Sequence, residues 1–110
     1  MELNFEKKGS WWVAEFSATG NFNLHIERNE GGSCSLYQSS VEGANYDYVR
    51  SINKGVNDTV IDTAVIVPVP PMYIKVESKA KPTMAVVTAG EGAEVGYSEA
   101  QISETLNTPV

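Results

Sequence analysis

Phe22-Asn23-Leu24-His25-Ile26-Glu27 is the stretch whose reading decides the fold. Apolar and polar side chains alternate without a break, so Phe22, Leu24 and Ile26 share one face and Asn23, His25 and Glu27 the other, which is the period of a strand with one face buried. Turn-forming residues bound the stretch on both sides. Thr19-Gly20-Asn21 precedes it, and Asn29-Glu30-Gly31-Gly32 follows as a predicted hairpin connection into Ser33–Ser39, where Cys34 and Leu36 face one way and Ser35 and Tyr37 the other.

Outward from this centre the same rhythm repeats. Upstream, Leu3, Phe5 and Lys7 alternate with Glu2, Asn4 and Glu6, and Lys8-Gly9-Ser10 turns the chain into Trp11–Ala18. There Trp12, Ala14, Phe16 and Ala18 make the better core face. Downstream, Tyr46–Ile52 is rich in aromatic and β-branched residues, and Thr59–Val67 is a β-branched run whose second half is apolar on both faces. Pro68, Pro70 and Pro71 cannot donate ladder hydrogen bonds, so this segment is expected to carry the chain from one sheet to the other. Met72–Glu77 and Thr83–Thr88 then read as two further strands, expected to pair as a hairpin. About eight short strands with Gly, Asn and Pro turns predict an all-β antiparallel β-sandwich, immunoglobulin-like or jelly-roll.

The rhythm stops near Gly90, which predicts a sandwich domain over 1–90 and an acidic C-terminal tail over 91–110. Residues 1–90 hold ten acids against eight Lys/Arg, net −2, whereas the tail holds four acids and no Lys or Arg, net −4. Within it Ser98 and Gln101 resemble a capping box, and Ile102 and Leu106 stand at i, i+4, so a short helix or an extended arm is expected there.

With 110 residues and 42% hydrophobic content the chain can bury a core as one domain. No run approaches the ~18 consecutive apolar residues of a membrane span. The acidic balance, net −6, lacks the basic field that binds phosphate backbones, so neither nucleic acid nor membrane is an expected partner. Met1–Glu6 has no basic lead and no apolar segment, so synthesis in the cytoplasm is expected. Cys34, the single cysteine, permits neither an internal disulfide nor a multi-cysteine metal site.

No catalytic, cofactor or metal set is expected. His25 falls on a polar strand face and Cys34 on an apolar one, so they do not make a nucleophile and base. Asp58 and Asp62, four apart in an extended chain, stand roughly 13 Å apart, too far for a glycosidase pair. The aromatic residues are more informative. Trp11 and Trp12 are adjacent in a strand and leave opposite faces, so one of them is a candidate surface contact. Trp11, Tyr37 and Tyr73, together with Ile102 and Leu106 of the tail, are the candidate interaction residues.

The segment Gly9-Ser10-Trp11-Trp12-Val13-Ala14-Glu15-Phe16-Ser17-Ala18, the stretch Phe22–Tyr37, and Val69–Val76 followed by Pro82–Val87 together give residues 9–88 a cadence that resembles the small β-sandwich structural proteins of tailed bacteriophage virions, in particular auxiliary (decoration) capsid proteins and head fibres. The resemblance implies a non-enzymatic protein, located in the virion, whose partners are the major capsid protein, other virion proteins or further copies of itself. A carbohydrate-binding module that uses exposed aromatic rings is the alternative, with a glycan as partner.

Overall fold

A computed structural model describes residues 1–69 and 72–98. Among them are nine strands: β1 (Glu6–Lys8), β2 (Trp11–Ala18), β3 (Phe22–Arg28), β4 (Cys34–Ser39), β5 (Asp47–Ser51), β6 (Val60–Val65), β7 (Met72–Ser78), β8 (Pro82–Ala89) and β9 (Val95–Tyr97). Every pairing is antiparallel. The larger sheet runs β1-β2-β7-β4-β5, with β9 also paired to β2, and the smaller runs β6-β3-β8. The two pack face to face as the expected β-sandwich. Among the described residues no helix is long and apolar enough to cross a membrane.

The alternation in β3 predicts its burial residue by residue: Phe22, Leu24 and Ile26 are buried, and Asn23, His25 and Glu27 are half-buried on the outer face. Facing them from the larger sheet are Ala14, Phe16 and Ala18 of β2, Leu36 of β4, and Ile74 and Val76 of β7. Phe16 and Phe22 meet edge to face across the sheets, with ring centroids 5.2 Å apart and planes at 79°. That geometry adds about 1 kcal/mol to the stabilisation from area burial alone.

The connections differ from two expectations. Asn29–Gly32 does not close a hairpin, because β3 lies in the smaller sheet while β4 pairs with β5 and β7 in the larger. β7 and β8 likewise belong to different sheets. The physical reason is burial on both sides: β3 and β4 each present an apolar face, and placing those faces opposite each other across ~10 Å buries more than pairing the strands edge to edge. The crossing at Gly31 is tight. A Cβ there would stand 2.2 Å from the Val56 carbonyl oxygen, and the Gly32 amide donates to that oxygen at 2.7 Å, so the loop lies on the β5–β6 connection. β6 and β7, which precede and follow the prolines in the chain, lie in different sheets.

The domain boundary also shifts. Composition places the end of the sandwich near Gly90, yet β9 pairs with the Phe16–Ala18 end of β2 and Ser98 is buried. Val95–Tyr97 lie within the acidic segment of the sequence yet form part of the sheet. Backbone pairing is indifferent to the charge split that marks the tail, so strand pairing continues past the change in composition.

Candidate functional site

Both sheets end on the same flank of the molecule. Among the described residues β5 closes the larger sheet and pairs only with β4, and β6 closes the smaller and pairs only with β3. All five residues of β5 are exposed. A β-bulge between Leu36 and Tyr37 shifts the β4–β5 register, setting Arg50 opposite Leu36 while Tyr48 stands opposite Tyr37. Arg50 thereby reaches across to the smaller sheet, where its Nη2 donates to Thr63 Oγ1 at 3.0 Å and to the Ala64 carbonyl at 3.1 Å.

Behind this strap the two edges border a cleft of about 460 Å³, whose walls include Ile52, Lys54, Asp58, Val60 and Ile61. Exposed apolar side chains occur along these edge strands and in the residues that adjoin them, Tyr48, Val49, Val56, Val60 and Ile66, of which Val60 lines the cleft and Val56 and Ile66 are each 74% exposed. Two unpaired strand edges beside a group of exposed apolar residues form a surface suited to a partner. Sequence reading finds the rings but not this flank, because the flank depends on which strands end the sheets. Val56, apolar within the polar loop Asn53–Asp58, is the one local signal of it.

Of the expected contact residues, Trp11, Tyr37 and Tyr73 are all half-buried on the outer face of the larger sheet. Trp12 is half-buried as well, so neither tryptophan is a full core residue. Lysines occupy the ring faces: Lys79 lies over Trp11 and Lys81 over Trp12, each 5.2 Å from the centroid, and Lys75 lies 4.5 Å from Tyr37 and 5.0 Å from Tyr46. Tyr37 and Tyr48 meet edge to face at 74°. These rings form no flat row. Ile102 and Leu106 lie outside the described residues.

The β4–β5 loop folds back over the same face. Gly43 and Asn45 adopt positive φ (72° and 57°), and Ser39 Oγ donates to the Ala44 carbonyl at 2.6 Å while accepting from the Val41 amide at 2.9 Å. The loop brings Tyr46 over Lys75 and encloses a cleft of about 290 Å³ between Tyr46 and Trp11. Burial first, then the nearby Glu15 carboxylate, holds the Tyr46 phenol well above the ordinary tyrosine range, so it stays protonated. Lys75 Nζ pairs with Glu77 Oε1 at 3.1 Å.

His25 and Cys34 are kept apart. On the outer face of the smaller sheet, His25 Nδ1 lies 2.8 Å from Asp62 Oδ2 and Nε2 lies 2.9 Å from Glu27 Oε2, while Asn23 Nδ2 donates to Asp62 Oδ1 at 3.0 Å. Both ring nitrogens are engaged by carboxylates, which leaves neither to accept a proton from a nucleophile. The Glu27 and Asp62 hydrogen bonds raise the His25 pKa. Cys34 is fully buried in the other sheet, and burial pushes its thiol up to about 11 against a smaller opposing effect of Arg28. Asp58 is engaged in its own loop, its Oδ2 accepting from the Gly55 amide at 2.8 Å. Among the described residues no group of three or more His, Cys, Asp and Glu side chains is arranged to hold a metal ion.

No family model matches the sequence, and no curated protein matches it. Among solved structures, a protein described as a GDSL-like lipase from Bacteroides ovatus is similar in fold, with a TM-score of 0.60 and 6% sequence identity over 80% of this chain. The chain spans 30% of the length of that protein. At such low identity the likeness concerns the fold alone.

Proposed function

We propose that this chain is a non-catalytic assembly module, and in particular an auxiliary protein of a bacteriophage capsid that docks on the major capsid protein through the flank formed by β5 and β6. The observation that carries the reading is the state of that flank. Among the described residues these two strand edges have no further pairing partner, exposed apolar residues lie on them and next to them in the chain, and the Arg50 side chain bridges from one sheet to the other.

The virion setting is drawn from the cadence of residues 9–88, and the geometry adds a docking surface consistent with it. The lipase description of the structural neighbour is not carried over, since the likeness covers a minor part of that protein and His25 here has no nitrogen to spare for a nucleophile.

The test is co-expression with a major capsid protein from the same genome, followed by sedimentation of the assembled shells. The protein is expected to travel with the shells, and Ile66→Asp to reduce its occupancy roughly tenfold or more, the scale of one hot-spot residue. A protein that stays at the top of the gradient while shells assemble normally contradicts the proposal.

A further inference from the structure

The cleft between Trp11 and Tyr46 lies over β2 and β7, away from the β5–β6 flank, and the docking role leaves it without a use. We infer that it is a binding site for a neutral sugar. The inference goes beyond the docking proposal and stands or falls separately from it.

Three features of the cleft point to this ligand class. Its volume, about 290 Å³, lies at the lower end of the range of small-molecule pockets and suits one or two sugar rings. Trp11 of β2 and Tyr46 of the loop held by Ser39 both line it, and the ring surface that Lys79 and Lys75 leave uncovered suits the apolar C–H face of a pyranose. Between them Lys8, Glu15, Lys75 and Glu77 supply ammonium donors and carboxylate acceptors for ring hydroxyls.

The charges decide between ligand classes. Two lysines and two glutamates sum to zero, so the cleft has no net field to favour a phosphate, a uronate or an ammonium group. A neutral polyhydroxylated ring uses both kinds of group at once. Lys75 is already oriented by Glu77 and by the rings of Tyr37 and Tyr46, so part of the ordering cost of binding is met before the ligand arrives. This is a shallow, open cleft of a size for a single sugar unit rather than a row of rings along which a glycan chain could stack.

The experiment uses the full chain, ¹⁵N-labelled, titrated with methyl glycosides of glucose, galactose, mannose and N-acetylglucosamine to roughly 50 mM, several-fold above the millimolar dissociation constant expected of a ~12-atom ligand in an open cleft. At least one glycoside is expected to shift the amides of Trp11, Tyr46, Lys75 and Glu77 in a saturable way. Trp11→Ala should weaken that binding about tenfold with the remaining spectrum preserved, and Trp11→Phe should retain most of it. If Trp11→Ala does not fold, Glu77→Gln carries the test, with a several-fold loss of affinity expected from the removal of a charged acceptor. No saturable shift with any of the four, unchanged binding in the folded variant, or shifts produced only by the charged probes glucuronate and choline would overturn the assignment.

Discussion

Arg28 Nη1 donates to Ser78 Oγ at 3.2 Å and so joins the smaller sheet to the larger through the interior of the sandwich. Arg28 occupies the last inward position of β3 and is only 3% exposed; Ser78 is fully buried at the end of β7. The same guanidinium donates to the carbonyls of Gly32 at 2.8 Å and Asp58 at 2.5 Å, which fixes the crossing to β4 and the loop before β6. Ser78 Oγ passes the interaction on by donating to the Ala80 carbonyl at 2.6 Å. The charge is met by backbone and hydroxyl dipoles, and the Nε atom has no hydrogen-bond partner. Arg28→Ala should therefore destabilise the fold by roughly 3 kcal/mol, since charge-assisted bonds are lost and buried carbonyls are left unpaired. Arg28→Met, which keeps the packed stem, should cost less. Urea unfolding reads both; a loss below about 0.5 kcal/mol for the alanine variant contradicts this role.

The His25 network gives stability a defined pH dependence. The His25 pKa is raised, by the Glu27 hydrogen bond first and then by Asp62, so its contribution is complete below the ordinary value of 6.5 and is lost as the pH rises through the higher folded value. The Asp62 pKa is lowered, by the His25 hydrogen bond first and then by Asn23, so its contribution is present above 3.8 and is lost as the pH falls through the lower folded value. Both operate between 3.8 and 6.5. The Tm difference between the wild type and His25→Gln should be largest in that window and shrink toward about pH 9. A difference that stays constant from about pH 5 to 9 would count against the network.

Cys34 should behave as a core atom rather than a reagent. Fully buried, with its thiol pushed up to about 11, it presents almost no thiolate at neutral pH. A thiol-specific disulfide reagent should fail to label the native protein over hours and should label it within minutes in denaturant. Rapid labelling without denaturant would show that the sandwich opens locally at β4.

Ending the chain at Gly90 should weaken the sandwich itself. It removes the pairing of β9 with Phe16, Ser17 and Ala18, the buried Ser98, the bonds from the Thr19 amide to the Glu94 carbonyl and from the Glu94 amide to Thr19 Oγ1, and the bond from the Tyr97 hydroxyl to the Glu2 carbonyl. A Tm lower by several degrees is expected, since ~1 kcal/mol shifts a domain of this size by about 4–8 °C. An unchanged Tm would return the boundary to Gly90.

The inward faces of β2, β3 and β7 were legible because alternation follows directly from strand geometry, and the sheet crossing at the prolines was legible because proline lacks a donor. The destinations of the other connections were not. A four-residue loop such as Asn29–Gly32 serves equally as a hairpin or as a crossing, and the choice rests on contacts among residues distant in sequence. The same limit hid the β5–β6 flank. Tyr48 and Val60 look ordinary in their own strands and acquire significance only because β5 and β6 end their sheets side by side. Trp11 was visible as a ring leaving one face of a strand, whereas the loop that brings Tyr46 to the same cleft depends on positive φ at Gly43 and Asn45.

The β5–β6 flank is the surface by which we propose that this protein joins an assembly. Hydrogen–deuterium exchange, comparing the free protein with the protein bound to capsid shells, tests it most directly. Protection confined mainly to Asp47–Ser51 and Val60–Val65, with the outer face of β3 unchanged, is the predicted result. Binding that leaves both edge strands exchanging at their free rates would contradict the claim.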